Sequence, residues 1–248
     1  MQRFPGIVSR PPLPRLLVSV RSAAEARLAI EEGVQLIDVK EPRGGSLGAA
    51  TPDTIGAVAK ICGATIPLSV ALGELLHTSP PQLPHGVAPT FIKCGLSGCG
   101  SRPQWSDVWC EQMQKYAASP VPVAYADWKT ADAPSPAAVL EHAVDVGCHT
   151  ILLDTFDKSR GHLLEQWTLE QTLAWITSLR QRGIRAVVAG SLRESMIVPL
   201  LVGGADCVAF RGAACREGRD GALDRVKLSR LVRAANSADL SAIASVTA

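Results

Sequence analysis

Eight short apolar runs alternate along the chain with segments of helical pattern, and this alternation constrains the fold more than any other feature. The apolar runs lie at 16–20, 35–40, 66–72, 90–94, 121–126, 149–154, 184–190 and 205–211. Their starts are about 19 to 35 residues apart, which is the spacing of successive strand–helix units. The sequence therefore predicts an α/β protein, and eight such units in roughly 230 residues predict a (β/α)8 TIM barrel.

Helical pattern fills most of the intervals between these runs. The segment 22–33 opens on a serine that is suited to capping and ends at a glycine. The other predicted helices lie at 51–61, 103–118, 134–147, 168–182, 193–202 and 224–235. The interval 77–89 is the exception, because its four prolines leave room only for a shortened helix or a loop.

The domain organisation predicted from this pattern is simple. A doubly wound open sheet is the competing architecture, but the glycine-rich dinucleotide-binding turn is missing after the first strand. No linker rich in Pro, Ser or Gly divides the chain. We therefore predict one barrel domain at 14–236, preceded by a disordered lead-in at 1–13 and followed by a C-terminal tail at 237–248.

Composition excludes several classes of protein. A net charge of +2 without a basic block of five residues argues against a nucleic-acid partner. No apolar run reaches the roughly 18 residues of a membrane span, and 1–12 does not read as a secretion signal. The seven cysteines form no CxxC pair, so we expect a reducing, cytoplasmic compartment without disulfides.

Lysine is scarce, and its placement indicates chemistry. Only seven of the 25 basic residues are lysines, and four of these, Lys40, Lys93, Lys129 and Lys158, lie at or just beyond the ends of apolar runs. The carboxyl ends of barrel strands and the loops after them form the active site in this fold. Since lysine, unlike arginine, can lose its proton and attack a carbonyl, this placement predicts an enzyme that works through amines.

Two aspartates accompany three of these lysines. Asp38 and Lys40 are two residues apart on one strand, so their side chains share a face. Lys93 follows an apolar triplet near the exit of the fourth strand, and Asp154 ends the sixth with Lys158 in the loop after it. A second amine near Lys40 would disfavour double protonation and lower one pKa, which activates an amine for Schiff-base chemistry. A purely structural ion pair is the alternative for Asp38 and Lys40.

Small residues follow the last two strands, where barrels of this kind commonly bind phosphate through backbone N–H groups. Gly190 and Ser191 follow the seventh strand, and Arg211, Gly212 and Ala213 follow the eighth. We therefore predict a phosphate-binding site there, to which Arg211 adds a positive charge.

Two further features bear on the site. The loop 41–49 after Lys40 is rich enough in glycine to act as a mobile cover. The five histidines show no ligand spacing, so we predict no metal, and no motif for a redox cofactor is present.

Six motifs in order resemble one family. They are IDVKEPRGGSLGA (37–49), FIKCGLSG (91–98), AYAD (124–127), LLDT-x-x-K (152–158), AGS (189–191) and RGAAC (211–215). From about residue 16 to about residue 234 the chain is similar to the (5-formylfuran-3-yl)methyl phosphate synthases, also called 4-(hydroxymethyl)-2-furancarboxaldehyde phosphate synthases. The resemblance implies a (β/α)8 barrel that condenses two molecules of glyceraldehyde 3-phosphate into a phosphorylated furan aldehyde, with loss of phosphate and water. That product serves the biosynthesis of methanofuran-type one-carbon carriers.

The resemblance also implies residue roles. Lys40 matches the Schiff-base lysine, and Asp38, Lys93, Asp154 and Lys158 match the other active-site residues. The departures are the lead-in, Glu74 where an aspartate is expected, the proline-rich 77–89 and a shortened charged segment at 216–224. They affect loop geometry and remove no proposed catalytic residue.

Three hypotheses about the function are compatible with the sequence. The first is the furan-forming synthase, which needs triose phosphates and no cofactor, and which we expect to be a homo-oligomer because barrels of this size often associate. The second is another Schiff-base aldolase or a phosphosugar isomerase on the same barrel. The third is a non-catalytic barrel that binds a phosphate ligand, although such proteins typically lose one charged partner and this chain keeps all five.

Overall fold

The computed structural model describes residues 4, 13–76 and 79–246, with the side chains of 239–246 left out. The strands are β1 (Leu16–Val20), β2 (Leu36–Val39), β3 (Leu68–Glu74), β4 (Phe91–Gly95), β5 (Ser119–Pro120), β6 (Val123–Tyr125), β7 (Thr150–Asp154), β8 (Arg185–Val188) and β9 (Cys207–Phe210). The helices are α1 (Ala23–Glu31), α2 (Pro52–Cys62), α3 (Trp105–Met113), α4 (Pro136–Val146), α5 (Leu163–Gln166), α6 (Leu169–Gln181), α7 (Ile197–Val202) and α8 (Arg225–Val246).

All strand pairings are parallel, and the strand order is β5-β4-β3-β2-β1-β9-β8-β7-β6. The fifth predicted strand is divided into β5 and β6. Its first half pairs with β4, and Val121 N continues that pairing to Ile92 O at 2.8 Å. Its second half pairs with β7, beginning where Leu152 N donates to Pro122 O at 3.0 Å. The divided strand thus joins the two ends of the sheet, which confirms the predicted (β/α)8 barrel and its single domain.

Hydroxyl caps begin several of the crossover helices, and the sequence predicts one of them, Ser22. The side chains of Ser22, Thr51, Ser135 and Thr168 each accept the backbone N–H three residues further on, at the starts of α1, α2, α4 and α6. Proline occupies the first turn of α2 and α4, where its missing N–H costs nothing. These local signals set the helix starts within one or two residues of those predicted.

Alternation along the strands divides the core into two layers and directs the polar residues. Val18 and Val20 pack in the layer between the strands and the helices, whereas Leu17 and Leu36 pack in the barrel interior. Side chains two residues apart share a face, so Ser19 and Asp38 also belong to the interior. Parallel register places these two opposite each other, near the carboxyl ends of β1 and β2.

Three segments refine the predicted boundaries. The described residues 79–90 of the third crossover contain no helix, which settles that prediction in favour of a loop. Helix α8 continues beyond residue 236 to Val246. Most of the lead-in, 1–3 and 5–12, lies outside the described residues, whereas Phe4 packs edge-to-face on Trp109 and donates its N–H to Val146 O at 2.9 Å. Among the described residues, no helix is both long and apolar enough to cross a membrane.

Candidate active site

A cavity of about 380 Å³ opens at the carboxyl ends of the strands. Its lining includes nine of the ten predicted site residues: Lys40, Lys93, Asp154, Lys158, Gly190, Ser191, Arg211, Gly212 and Ala213. Six basic side chains line it (the predicted three lysines and Arg211, with Arg193 and Arg219), against one acidic side chain. A cavity with such an excess of cations suits an anionic ligand.

Asp38 lies beneath the cavity, wholly buried, and holds Lys93. Its Oδ1 lies 2.9 Å from Lys93 Nζ, and its Oδ2 accepts Ser19 Oγ at 2.8 Å. Burial raises the pKa of Asp38, but the charges of Lys93 and Lys40 outweigh burial and the net pKa shift is downward. Asp38 therefore stays ionised and fixes the Lys93 ammonium in the barrel interior.

Asp154 and Lys158 form the second ion pair, on the opposite side of the barrel mouth. Lys158 Nζ lies 2.5 Å from Asp154 Oδ1 and also donates to Thr155 Oγ1 at 3.1 Å. The hydroxyl of Ser46 lies 3.1 Å from Asp154 Oδ2 and 2.9 Å from Thr155 O. Burial raises the pKa of Asp154, but the charges of Lys158 and Lys40 lower it by more than burial raises it. This carboxylate is therefore also ionised.

Lys40 is half-buried and has no carboxylate within ion-pair distance among the described residues. Its Nζ donates to the backbone oxygen of Ser46 at 3.3 Å. Burial lowers the pKa of Lys40 to about 8, and the charges of Lys93 and Lys158 act in the same direction, against the raising effect of Asp154 and Asp38. The amine of Lys40 thus becomes a free base more readily than that of an ordinary lysine.

The loop 41–49 covers this amine and is docked in the structure. Glu41 N donates to Gly48 O at 2.8 Å, and a Cβ on Gly48 would lie 2.1 Å from Glu41 O, so only glycine fits. Leu47 is buried, and its carbonyl accepts Gly73 N at 2.9 Å. The mobile cover predicted from its glycines is therefore closed here, with Ser46 turned into the barrel.

The predicted phosphate loops lie at the far wall of the cavity. Gly190 has a φ of +102°, and a Cβ there would approach Leu163 Cβ and Thr155 Cγ2 to 3.1 Å. Ser191 has a φ of +50°, an uncommon conformation for a residue with a side chain. Gly212 and Ala213 begin a short 3-10 turn whose first N–H groups have no partner within the turn.

Arg211 lies in the cavity lining, and its guanidinium is held by the protein. Its guanidinium donates to Arg219 O, Ser19 O and Gly221 O and pairs with both carboxylate oxygens of Glu25. These five bonds match the five donors of a guanidinium. Arg211 therefore lies at the predicted place, but its charge and its donors are used to brace the protein instead of being available to a phosphate.

Several residues of the site are not apparent from the sequence. Ser19 and Ser46 are single hydroxyls in apolar or glycine-rich stretches, and only the fold brings them to Asp38 and Asp154. Arg193 and Arg219 lie in loops, where an exposed charge is the ordinary interpretation. Arg43, in the loop 41–49, is exposed and is not part of the cavity lining.

Asp127 positions the loop that carries Lys158. Its carboxylate accepts Phe156 N at 2.7 Å and Asp157 N at 2.9 Å, immediately before Lys158. The loop that carries Lys158 is thus attached to the end of β6. The AYAD motif (124–127) is the sequence signal that could have identified this role.

Glu74, the departure from the expected aspartate, forms a buried pair with Tyr125. Tyr125 OH donates to Glu74 Oε1 at 2.7 Å, and Ser97 N donates to Oε2 at 3.0 Å. Burial and the nearby carboxylate raise the pKa of Tyr125 well above its usual value, so the phenol keeps its proton. A Cβ on Gly95 would lie 2.1 Å from Glu74 Oε2, so glycine at that position makes room for the longer acid.

Solved structures share the fold at low sequence identity. Phosphoribosyl anthranilate isomerase from Thermotoga maritima aligns with a TM-score of 0.61 and 14% identity, over 91% of this chain and 100% of its own. Thiamine phosphate pyrophosphorylase from Pyrococcus furiosus aligns with a TM-score of 0.57 and 13% identity, over 90% of this chain and 96% of its own. At such identities the likeness concerns the barrel alone.

Curated relatives are closer. A Methanopyrus kandleri protein named (5-formylfuran-3-yl)methyl phosphate synthase is 31% identical over 215 residues, which are 83% of this chain and 91% of that protein. Proteins of the same name from Methanococcus aeolicus and Methanocaldococcus jannaschii are 31% and 30% identical over 88% and 87% of this chain, and over 98% and 97% of their own lengths. The family described as 4-HFC-P synthase matches residues 16–232. This chain therefore belongs to the 4-HFC-P synthase family.

Proposed function

We propose that this protein is a (5-formylfuran-3-yl)methyl phosphate synthase that condenses two molecules of glyceraldehyde 3-phosphate through a Schiff base on Lys40. One phosphate and water are released, and the product supplies the furan of a methanofuran-type one-carbon carrier. By reaction type it is a carbon–oxygen lyase acting on phosphates. The names of the relatives support the product, and the site supports the chemistry.

The observation that carries this proposal is the setting of Lys40, a half-buried lysine in a cavity lined by six basic side chains. With a pKa of about 8, about one Lys40 amine in ten is neutral at pH 7, compared with roughly one in three thousand for an ordinary lysine. A neutral amine in a cavity with an excess of cations suits attack on the carbonyl of a phosphorylated aldehyde.

The first steps use Lys40 and the Asp154–Lys158 pair. The neutral Lys40 amine adds to a triose phosphate carbonyl, and loss of water gives an iminium. The iminium withdraws electrons, so the neighbouring C–H proton can pass to a base and leave an enamine. Asp154 lines the cavity as a carboxylate and is placed to accept that proton, which Lys158 can exchange at 2.5 Å.

The later steps join and close the carbon skeleton. The enamine expels its phosphate from the adjacent CH2 group, which leaves an enol whose terminal CH2 carbon is nucleophilic. That carbon attacks the ketone carbon of the second triose phosphate, isomerised from the aldehyde form, and this forms the new carbon–carbon bond. Closure through the hydroxyl oxygen of the second triose, loss of two waters and hydrolysis of the Lys40 imine to the formyl group then give the aromatic ring. Lys93 pairs with Asp38 and contributes positive charge to the floor of the cavity.

Product analysis tests the proposal. Incubation with glyceraldehyde 3-phosphate alone is expected to give a product with the mass of the furan aldehyde phosphate and near-ultraviolet absorbance. Lys40→Ala should abolish it, and Lys129→Ala is the matched control, because Lys129 also follows a strand but does not line the cavity. A linear sugar phosphate would indicate an aldolase or isomerase, and ligand binding without turnover would indicate a non-catalytic barrel.

A further inference from the structure

Arg219 is a basic residue of the cavity lining that, like Lys40, forms no ion pair among the described residues. It lies in the loop after β9, half-buried, and its Nη2 donates to the backbone oxygens of Pro42 and Gly45, both at 2.7 Å. These two acceptors belong to the loop 41–49 that covers Lys40. Arg219 thus bridges two loops while it lines the cavity between them.

The charge of Arg219 is not neutralised by the protein. Each of four other lining cations has a carboxylate partner: Lys93 with Asp38, Lys158 with Asp154, Arg211 with Glu25, and Arg193 with Glu165 at the longer distance of 3.9 Å. Arg219, by contrast, forms no ion pair within the part of the chain that the structure describes. Its two bonded acceptors are uncharged, and its Nε and Nη1 donors have no hydrogen bond there.

The neighbouring arginine holds Arg219 in this place. Arg211 Nε donates to Arg219 O at 2.6 Å, and Arg211 Nη2 donates to Gly221 O at 2.9 Å. Because all five donors of Arg211 are used in this way, the loop is braced at the point where Arg219 enters the cavity. Arg211, which the sequence predicts to bind phosphate, therefore holds Arg219 in place, and the charge of Arg219 remains available.

The loop that Arg219 bridges also contacts the reactive amine. Ser46 O accepts Lys40 Nζ at 3.3 Å, and Ser46 Oγ lies 3.1 Å from Asp154 Oδ2. Contacts of Arg219 with Pro42 and Gly45 therefore stabilise the same loop conformation that surrounds Lys40. An anion that attracts the Arg219 guanidinium would favour this closed conformation.

We propose that Arg219 is the residue that selects phosphorylated aldehydes, binding the substrate phosphate through its unpaired guanidinium donors and coupling that contact to closure of the loop 41–49 over Lys40. A guanidinium suits this role, since its Nε or Nη1 donor can bind a phosphate oxygen while its Nη2 keeps the two carbonyls. The inference rests on the proposed function for the identity of the aldehyde, and it extends that function by assigning the specificity.

Adduct formation measures the selectivity. Borohydride reduction traps the Lys40 imine with glyceraldehyde 3-phosphate and with glyceraldehyde, and the ratio of the two trapping rates gives the preference for phosphate. Arg219→Gln should lower this ratio roughly 10- to 100-fold, with little change in the glyceraldehyde rate. Arg219→Lys keeps the positive charge but lacks the planar guanidinium, so its ratio of trapping rates should lie between those of the wild type and Arg219→Gln.

Arg216→Gln is the matched control, since Arg216 lies in the same loop, is exposed, pairs with Asp224 and does not line the cavity. It should behave as the wild type. If Arg219→Gln lowers the trapping rates with glyceraldehyde 3-phosphate and with glyceraldehyde equally, Arg219 only supports the loop and the inference is overturned. A ratio of the two rates that is unchanged in both Arg219→Lys and Arg219→Gln would also overturn it.

Inorganic phosphate separates this inference from the proposed function, because its binding needs no turnover. Calorimetry should show phosphate binding to the wild type and to Arg216→Gln, with at least tenfold weaker binding to Arg219→Gln. If the wild type forms no furan but phosphate binding still depends on Arg219, the proposed function fails and the phosphate contact stands. If the furan forms and the Arg219 variants bind phosphate as the wild type does, the inference fails alone.

Limited proteolysis tests the coupling to the loop. Arg43 is exposed in the loop 41–49 and offers trypsin a cleavage site. Phosphate should slow cleavage after Arg43 in the wild type and in Arg216→Gln, and should have no effect in Arg219→Gln. Cleavage of the wild type at an unchanged rate in phosphate would contradict the coupling.

Discussion

Lys93 Nζ lies 2.9 Å from Asp38 Oδ1, with 6% of the lysine side chain and none of the aspartate side chain exposed. Removing one partner from a buried ion pair leaves a charge without compensation and costs about 3–5 kcal/mol. Lys93→Met and Asp38→Asn should therefore each lower the free energy of unfolding by about that amount. The double variant should lose clearly less than the sum, because it leaves no uncompensated charge.

Urea unfolding of the wild type, both single variants and the double variant measures this coupling in a double-mutant cycle. Strictly additive losses would show that the two side chains do not stabilise each other in solution.

The pH dependence of Schiff-base formation follows from the pKa of Lys40. The amine reacts as the free base, so the rate of trapping should rise with pH and level off above an apparent pKa of about 8. The positive charge of Lys158 lowers the pKa of Lys40, and its ion pair with Asp154 reduces the opposite effect of that carboxylate. Lys158→Met should therefore move the profile to higher pH.

This profile is measured as the rate of the borohydride-trapped adduct between pH 6 and pH 10. A profile centred near the ordinary lysine value of about 10.4 in the wild type would mean that Lys40 is not activated. A shift to lower pH in Lys158→Met would contradict the arrangement of charges.

Ser46 joins the cover loop to the acid of the second ion pair. Ser46→Ala removes the hydroxyl that lies 3.1 Å from Asp154 Oδ2 and 2.9 Å from Thr155 O. We expect a loss of about 1 kcal/mol in stability, the usual contribution of one hydrogen bond. We also expect about a tenfold lower kcat, because Asp154 and the loop lose a shared contact. Thr177→Ala, which removes an exposed hydroxyl on α6, should leave kcat unchanged.

The two tyrosines of the chain offer a matched pair for the Glu74 contact. Tyr125→Phe removes a buried hydrogen bond of 2.7 Å to a carboxylate, whereas Tyr116→Phe removes a partly buried one of 3.0 Å to Pro81 O. Hydrogen bonds to charged groups contribute about 1.5–3 kcal/mol and neutral ones about 1 kcal/mol. Thermal unfolding should therefore show the larger drop in Tm for Tyr125→Phe. Equal drops would mean that the Glu74 contact contributes no more than a neutral hydrogen bond.

Local patterns were sufficient to predict the barrel and the lysines and aspartates of its mouth. A period of two places Asp38 and Lys40 on one face, and an apolar run of strand length places Asp154 at a strand end. Lys93 was expected near such an end, and β4 continues two residues past it to Gly95. Such local patterns do not predict contacts between distant parts of the chain. The bond of Ser46 to Asp154 spans 108 residues, and that of Arg211 to Glu25 spans 186. Which arginine keeps an available charge therefore depends on tertiary pairing, which periodicity does not encode.

The sequence analysis also did not predict that the fifth strand is divided into β5 and β6. Pro122 interrupts the run 121–126, and a proline cannot donate to a ladder. That signal was visible in the sequence, but the position of the break relative to β4 and β7 depends on the closure of the whole barrel.

Mass spectrometry of the borohydride-reduced protein tests the central claim most directly. With glyceraldehyde 3-phosphate present, reduction should add one triose phosphate to Lys40, while Lys129→Ala should be labelled like the wild type and Lys40→Ala should not be labelled. A wild type without an adduct, or a Lys40→Ala variant labelled to the same extent, would contradict a Schiff base on Lys40.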